Sequence, residues 1–371
     1  MNSLPSRFRI LRPVTAAAVV TLLFVAMPLT RAAGPVSTSG FKVLPPIVHG
    51  NLAMYPVVPS RSYDTSHLLT LDEGTRSGQV TISESGMQPA MMHPGQRPVF
   101  HSGAEVNRLV LYNNSDRPLL LLAGEIVTGG KQDRVIGSDR IVPPKSGPID
   151  LSVFCVEPGR WTGATAQFGS LKQQMAQPLV RAPAMAEKDQ QAVWNSVRKS
   201  NAQVASRLQA GEAEALHSTT SYAKVFASAP VQQAVESYGG PDSEQSALAL
   251  LRKEGAVGVV VAVHGQILWA DLFASTDLLA RYWPKLSKSY IAEAMTGEAG
   301  GTPPNTSEAE AWVNLQSGVR EVSETEPGVY RRTEVTGNGF QAFELDSLWA
   351  GADFPVHRTK ILKQPVVSFL R

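Results

Sequence analysis

Leu119-Leu120-Leu121-Leu122-Ala123-Gly124-Glu125-Ile126-Val127, closed by Thr128-Gly129-Gly130-Lys131-Gln132-Asp133-Arg134, decides how this 371-residue chain is read. A short apolar run bounded by turn residues reads as a strand, and the glycine pair reads as its turn. Further on, Ile149-Asp150-Leu151-Ser152-Val153-Phe154-Cys155-Val156 alternates apolar and polar positions, then ends in Glu157-Pro158-Gly159-Arg160-Trp161. Two buried-looking strands that carry ionisable residues at their ends predict either a site or a buried charge network, because such groups are costly beside apolar runs unless paired.

Working outward, Leu52 to Val58, Gln79 to Ser83 and Val106 to Asn113 are further short apolar or alternating runs, and Asn113 to Asp116 reads as a hairpin turn into the Leu119 run. Met87 to Pro98, rich in Pro, Gly and Met, reads as a loop. The period then changes to helical. Glu187 to Leu208 places Val193, Trp194, Val197, Val204 and Leu208 on one face, and Tyr222 to Phe226, Val231 to Tyr238 and Ser246 to Lys253 follow as helices. Ala256 to Val263 and Ile267 to Phe273 return to strand, the first so apolar that both its faces are expected to be buried. A helical stretch from Leu278 to Met295 is expected to break at Trp283-Pro284. Gly297 to Pro304 reads as a linker, Ser307 and Glu310 as a capping box, and Val329 to Val335 with Phe340 to Leu345 as a hairpin. The expected fold class is α+β: a strand-rich N-terminal half, a helical insertion, then a strand pair and helix on a mixed sheet. The expected division is a leader over 1–32, an α+β domain over 33–296 and a C-terminal extension over 297–371.

The leader is a secretory signal: Arg7, Arg9 and Arg12, an apolar run from Val14 to Leu29, then Ala32-Ala33-Gly34. The run is shorter than the ~20 residues a comfortable membrane span needs. The expectation is therefore a secreted or periplasmic protein with no membrane attachment after cleavage. Cleavage would remove Arg7, Arg9, Arg12 and Arg31 and no acid, so the 34 basic residues fall to 30 against 32 acidic ones. A net charge of −2 carries no footprint for nucleic acid. The lone cysteine, Cys155, cannot form an internal disulfide and sits on the apolar face of its strand as a small hydrophobe.

Candidate site residues come from the two polar clusters. Gly129-Gly130-Lys131 does not complete a P-loop, because Gly124 lies one residue too early and Gln132 stands where a hydroxyl residue would hold magnesium. A glycine pair beside Lys131 and Arg134 still presents backbone amides to an anion. In the functional reading Lys131, Gln132, Asp133, Arg134, Arg160 and Trp161 bind a small anionic ligand, with Glu125 and Glu157 as acid–base groups. In the other reading the same residues form an ion-pair network in a non-catalytic envelope protein, as the five basic and five acidic residues between Ala123 and Trp161 favour. The seven histidines are dispersed without metal-ligand spacing, so neither a metal nor a cofactor is expected. Glu244, Glu254, Asp271 and Asp277 read as solvated or capping residues.

Taken together, Gly124-Glu125, Gly130 to Arg134, Cys155-Val156-Glu157 with Gly159-Arg160-Trp161, Trp194, and the Gly258 to Phe273 strand pair followed by Trp283 resemble the ARPP domain family. The resemblance runs over roughly Val43 to Met295. The family's name records association with ADP-ribosylglycohydrolase and with the rhodanese-phosphatase superfamily. What the resemblance implies is a domain without an established reaction, linked to ADP-ribose-like compounds by association alone.

Overall fold

The first half of the chain folds as short strands punctuated by glycine and proline, and the alternation of its apolar residues sets which face of each strand is buried. A computed structural model describes residues 40–84, 108–159, 167–208, 210–217, 219–239, 243–296 and 300–363, all within one compact unit. The leader, the Met87 to Pro98 stretch, Arg160 and Trp161 lie outside the described residues.

Along the chain come β1 (Lys42–Val43), β2 (Ile47–His49), β3 (Leu52–Val58), β4 (Leu69–Thr70) and α1 (Leu71–Arg76). β5 (Val80–Glu84), β6 (Arg108–Asn113), β7 (Leu119–Leu121), β8 (Glu125–Gly129), β9 (Arg134–Ile136), β10 (Arg140–Val142), β11 (Ser146–Cys155) and β12 (Gln167–Met175) follow. The helical region comprises α2 (Pro178–Ala182), a π-turn at Pro183–Glu187, α3 (Gln190–Ala205), α4 (Ala210–His217), α5 (Tyr222–Ala227), α6 (Ala229–Gly239) and α7 (Ser243–Glu254). Then come β13 (Gly258–Val263), β14 (Gln266–Phe273), α8 (Thr276–Met295), α9 (Thr306–Asn314), β15 (Gly318–Glu326), β16 (Tyr330–Gly337), β17 (Phe340–Ser347) and β18 (Phe354–Leu362).

Among the described residues these strands form three sheets. A closed six-stranded barrel runs β11-β6-β5-β12-β8-β9, and its interior is packed by Leu109, Leu111, Val127, Leu151, Val153 and Phe168. A nine-stranded sheet runs β1-β3-β13-β14-β18-β17-β16-β15, with β2 also on β3, and a small sheet joins β10, β7 and β4. β13 is buried on both faces as its composition predicts: Val259, Val261 and Val263 face the main core, while Val260 and Ala262 face a second core under α9. α8 packs against β12 of the barrel and against β3, β13 and β14 of the large sheet, so it is the layer that joins the two. The α+β class holds.

Several expected elements come out differently. Leu119 to Val127 is two strands, because Gly124 takes φ +96 and turns the chain between β7 and β8. The Asn113 to Asp116 turn does not close a hairpin: β6 pairs with β5 and β11, whereas β7 pairs with β10 and β4. Asn113 is instead buried and its side chain donates to the carbonyls of Arg117 and Pro143. Pro284 does not break its helix. α8 continues through it because Tyr282, Trp283, Leu286 and Tyr290 are all fully buried, which offsets the ~3 kcal/mol that an interior proline costs. The capping box of α9 is Asn305 with Glu308, two residues ahead of the expected pair. The segment after 297 supplies α9 and four strands of the large sheet, with β18 paired to β14 from Trp269↔Ile361 to Phe273↔His357.

Candidate functional site

Strand direction places the polar clusters before any side chain is considered. Around the barrel the registers Glu84↔Leu109, Ser152↔Arg108, Cys155↔Arg134, Val127↔Arg134, Phe168↔Gly129 and Gln167↔Ser83 set one row of strand termini at a common end. The β8–β9 turn, the C-terminal end of β11 and the start of β12 all meet there. Gln132, Asp133 and Glu157 are brought together: Gln132 Nε2 donates to the Glu157 carbonyl at 3.1 Å, and the Asp133 N–H donates to Glu157 Oε2 at 3.3 Å.

The glycine turn is an anion-binding turn, and the anions are the protein's own. Gly129 N–H donates to Asp133 Oδ1 at 3.3 Å, Lys131 N–H to Glu84 Oε1 at 2.9 Å, and Asp133 N–H to Glu157 Oε2. All three carboxylates are buried, at 1 % exposure for Glu84, 4 % for Asp133 and 2 % for Glu157. Gly130 has to be glycine, since its φ is +51 and a Cβ would lie 2.3 Å from Phe168 and 2.6 Å from Glu84 Oε1. Ser221, the N-cap of α5, donates to Asp133 Oδ2 at 3.0 Å, and Lys224 of the same helix lies 3.5 Å from Glu157. Arg134 is fully buried and reaches back to the Asp133 carbonyl, while Lys131 is half-buried at the tip. Cys155 is buried and its thiol is pushed up by burial; its backbone is clamped in both directions by the Gln190 amide.

Glu125 stands apart. It opens β8 while the turn closes it, a separation of about 13 Å at the rise of a strand. Its Oε1 accepts from Lys285 of α8 at 2.7 Å, Oε2 accepts the Leu122 N–H at 2.7 Å, and Lys285 also meets Asp72 at 2.5 Å. Burial draws Lys285 down, but Glu125 and Asp72 more than restore it and hold the ammonium charged. Burial, joined by the charge of Asp72, pushes Glu125 up against the pull of Lys285. Next to this pair, Arg281 fastens α8 to Glu73 of α1 at 2.9 Å.

Beside Gly124 lies a larger network that sequence reasoning missed. Arg181 of α2 and Asp271 of β14 are both fully buried and bonded through two nitrogens, at 2.8 and 3.1 Å. Asp271 also accepts from Trp269 Nε1 at 2.9 Å, Tyr290 at 2.5 Å and Thr359 at 3.0 Å. His357 of β18 lies 3.4 Å from Asp271 through Nε2 and 2.6 Å from Asp139 through Nδ1, and Asp139 accepts the Ala123 N–H at 2.7 Å. Asp271 is therefore neither solvated nor a cap, as expected from sequence, but the most heavily bonded carboxylate described in the fold. Burial would raise it, and Arg181 and His357 overcome that and hold it below the usual carboxylate range. Burial pulls His357 down, yet Asp139 and Asp271 lift it to about 9. Gly124 makes the network possible: a Cβ there would sit 2.5 Å from Arg181 Nε. One signal was available, a lone aspartate inside Trp269-Ala270-Asp271-Leu272-Phe273, an apolar strand with no face for water.

No described helix is long and apolar enough to cross a membrane. No curated protein and no solved structure matches the chain. The model of the ARG and Rhodanese-Phosphatase-superfamily-associated Protein domain matches residues 40–359, a span that includes both polar clusters, the buried Arg181–Asp271–His357 network, β15 to β17 and most of β18, and the chain belongs to that family.

Proposed function

We propose that this chain acts by binding and not by acid–base catalysis, as an exported envelope protein whose polar motifs are internal locks that hold a barrel against a sheet. The observation that carries this reading is the filling of the glycine turn by Glu84, Asp133 and Glu157. The turn amides of Gly129, Lys131 and Asp133 already hold three buried carboxylates, and the carboxylates of Glu125 and Glu157, at 1 and 2 % exposure, bond to internal partners: Lys285 and the Leu122 N–H for Glu125, the Asp133 N–H for Glu157. The competing reading makes Lys131, Gln132, Asp133, Arg134 and Glu157, with Arg160 and Trp161, a small-anion site; it needs the same amides to be open.

Export is supported by the basic, apolar and small-residue order of the leader. Glu157→Gln separates lock from catalyst. A lock residue lowers the unfolding midpoint when its charge is removed, whereas an open catalytic residue leaves the midpoint in place and abolishes turnover. For export, mass spectrometry of the protein from its native host should find a mature N-terminus near Ala33 in the periplasmic or secreted fraction; an intact Met1 in the cytoplasm overturns that part.

A further inference from the structure

The barrel closes between β9 and β11 over only three residue pairs, and a groove opens where the two strands part. β11 is ten residues long, but β9 pairs with it only from Val153 to Cys155 and leaves the edge at Gly137. On the side away from β6, the Ser152 carbonyl still accepts the Gly137 N–H at 3.1 Å, but Asp150 and Leu151 have no strand beside them among the described residues. In its place lies a groove of about 530 Å³, bounded by the Gly137–Ser138 loop, the end of the π-turn and the β15–β16 hairpin. This volume is within the range of small-molecule sites.

Four cations, Arg108, Arg140, Lys188 and Arg332, line the groove with two acids, Asp150 and Glu324, and two further acids meet the cations from its rim, Glu326 beside Arg140 at 3.5 Å and Glu334 beside Lys188 at 2.8 Å. Phe154 and Ala184 add an apolar wall. Two of the cations are fixed by the fold. Arg140 donates to the Asp150 carbonyl at 3.0 Å, which occupies part of the strand edge, and Arg332 is held by Ser323 at 3.2 Å and Glu324 at 3.0 Å. The other two are half exposed, Arg108 at 48 % beside Asp150 and Lys188 at 51 % beside Glu334. Ion pairs that exposed are worth only about 0 to 1 kcal/mol, so an incoming anion exchanges for them at little cost.

We propose that this groove binds a small organic acid: one anionic head, phosphate or carboxylate, between the cations, and an apolar body against Phe154 and Ala184. The groove would take such a ligand whether or not the buried motifs are locks, since it shares none of their residues.

Calorimetric titration of the full chain with phenyl phosphate, benzoate and inorganic phosphate tests this. Either aromatic acid, or both, should bind, and the tighter of the two names the head group; inorganic phosphate should bind at least about tenfold more weakly, a difference of ~1.4 kcal/mol. Arg108→Ala combined with Lys188→Ala should weaken binding about tenfold or more, again ~1.4 kcal/mol. Asp150→Asn, which removes the acid beside Arg108, should tighten it. Raising salt from about 0.05 to 0.3 M should weaken it as the Debye length shortens. No heat from either aromatic acid at millimolar concentration overturns the proposal, and so does binding that the double variant leaves unchanged or that inorganic phosphate matches. Both altered cations are surface residues, so an unchanged melting curve shows that lost binding is not lost fold.

Discussion

The two ends of β8 are both sealed by buried charge, yet they are built from different parts. At the Gly124–Glu125 end the charged partners are remote: Arg181 from α2, Asp271 from β14, His357 from β18 and Lys285 from α8. At the glycine-turn end the partners are mostly amides of the turn itself, met by Glu84, Asp133 and Glu157. Charges that join distant elements hold layers together, and charges that meet one turn's amides hold a local shape. Perturbing the first end should unfold the molecule, whereas perturbing the second should loosen it locally.

The comparison breaks most visibly at Asp271. Asp271→Asn leaves Arg181 and His357 as buried cations without their shared carboxylate, and chemical denaturation should show a loss of about 3 to 5 kcal/mol. A loss under ~1 kcal/mol would mean that the network is not what joins sheet to barrel.

Next in size is a pH effect with a fixed sign. His357 is lifted from 6.5 to about 9 in the fold. A group whose pKa is raised on folding contributes stability that is complete below its unfolded value and lost as pH rises through the folded one. Stability should therefore fall by about 3 kcal/mol between pH 6.5 and 9, read from denaturation midpoints across that window. His357→Gln should flatten the fall; an unchanged slope in that variant would assign the effect elsewhere.

Gly124→Ala sharpens the same end. With φ at +96 and Arg181 Nε at 2.5 Å from the added Cβ, it should cost roughly 2 to 3 kcal/mol in the same assay. Glu157→Gln tests the other end with the smallest effect. It keeps the volume and weakens one charge-assisted acceptor, so about 1 to 2 kcal/mol is expected, with the denaturant slope unchanged.

What sequence made legible follows from how local each feature is. β3, α3, β13, β14 and the β16–β17 hairpin follow their own periodicity, and the structure has them within a few residues of expectation. The barrel was not legible. Its closure depends on β12, whose Gln167 to Met175 is too polar to read as a strand, and on β9, which is three residues long. Pro284 was misread because a local rule was applied to a helix whose burial is tertiary. At the site, Glu157 and the turn stood out as polar residues on apolar strands, and the structure brings them into contact. That the turn's anions would be internal was not legible, because Glu84 precedes the turn by 47 residues. Asp271 was passed over for a similar reason: two of its partners, Arg181 and Thr359, lie 90 and 88 residues away.

The most direct test of the account is amide hydrogen exchange, followed by NMR, at Gly129, Lys131 and Asp133. If Glu84, Asp133 and Glu157 fill the turn, these three amides should exchange about as slowly as the barrel strands around them, and adding millimolar phosphate should move neither their rates nor their chemical shifts. Fast exchange at all three, with shifts that titrate on phosphate, would contradict the account and make the turn an open anion site.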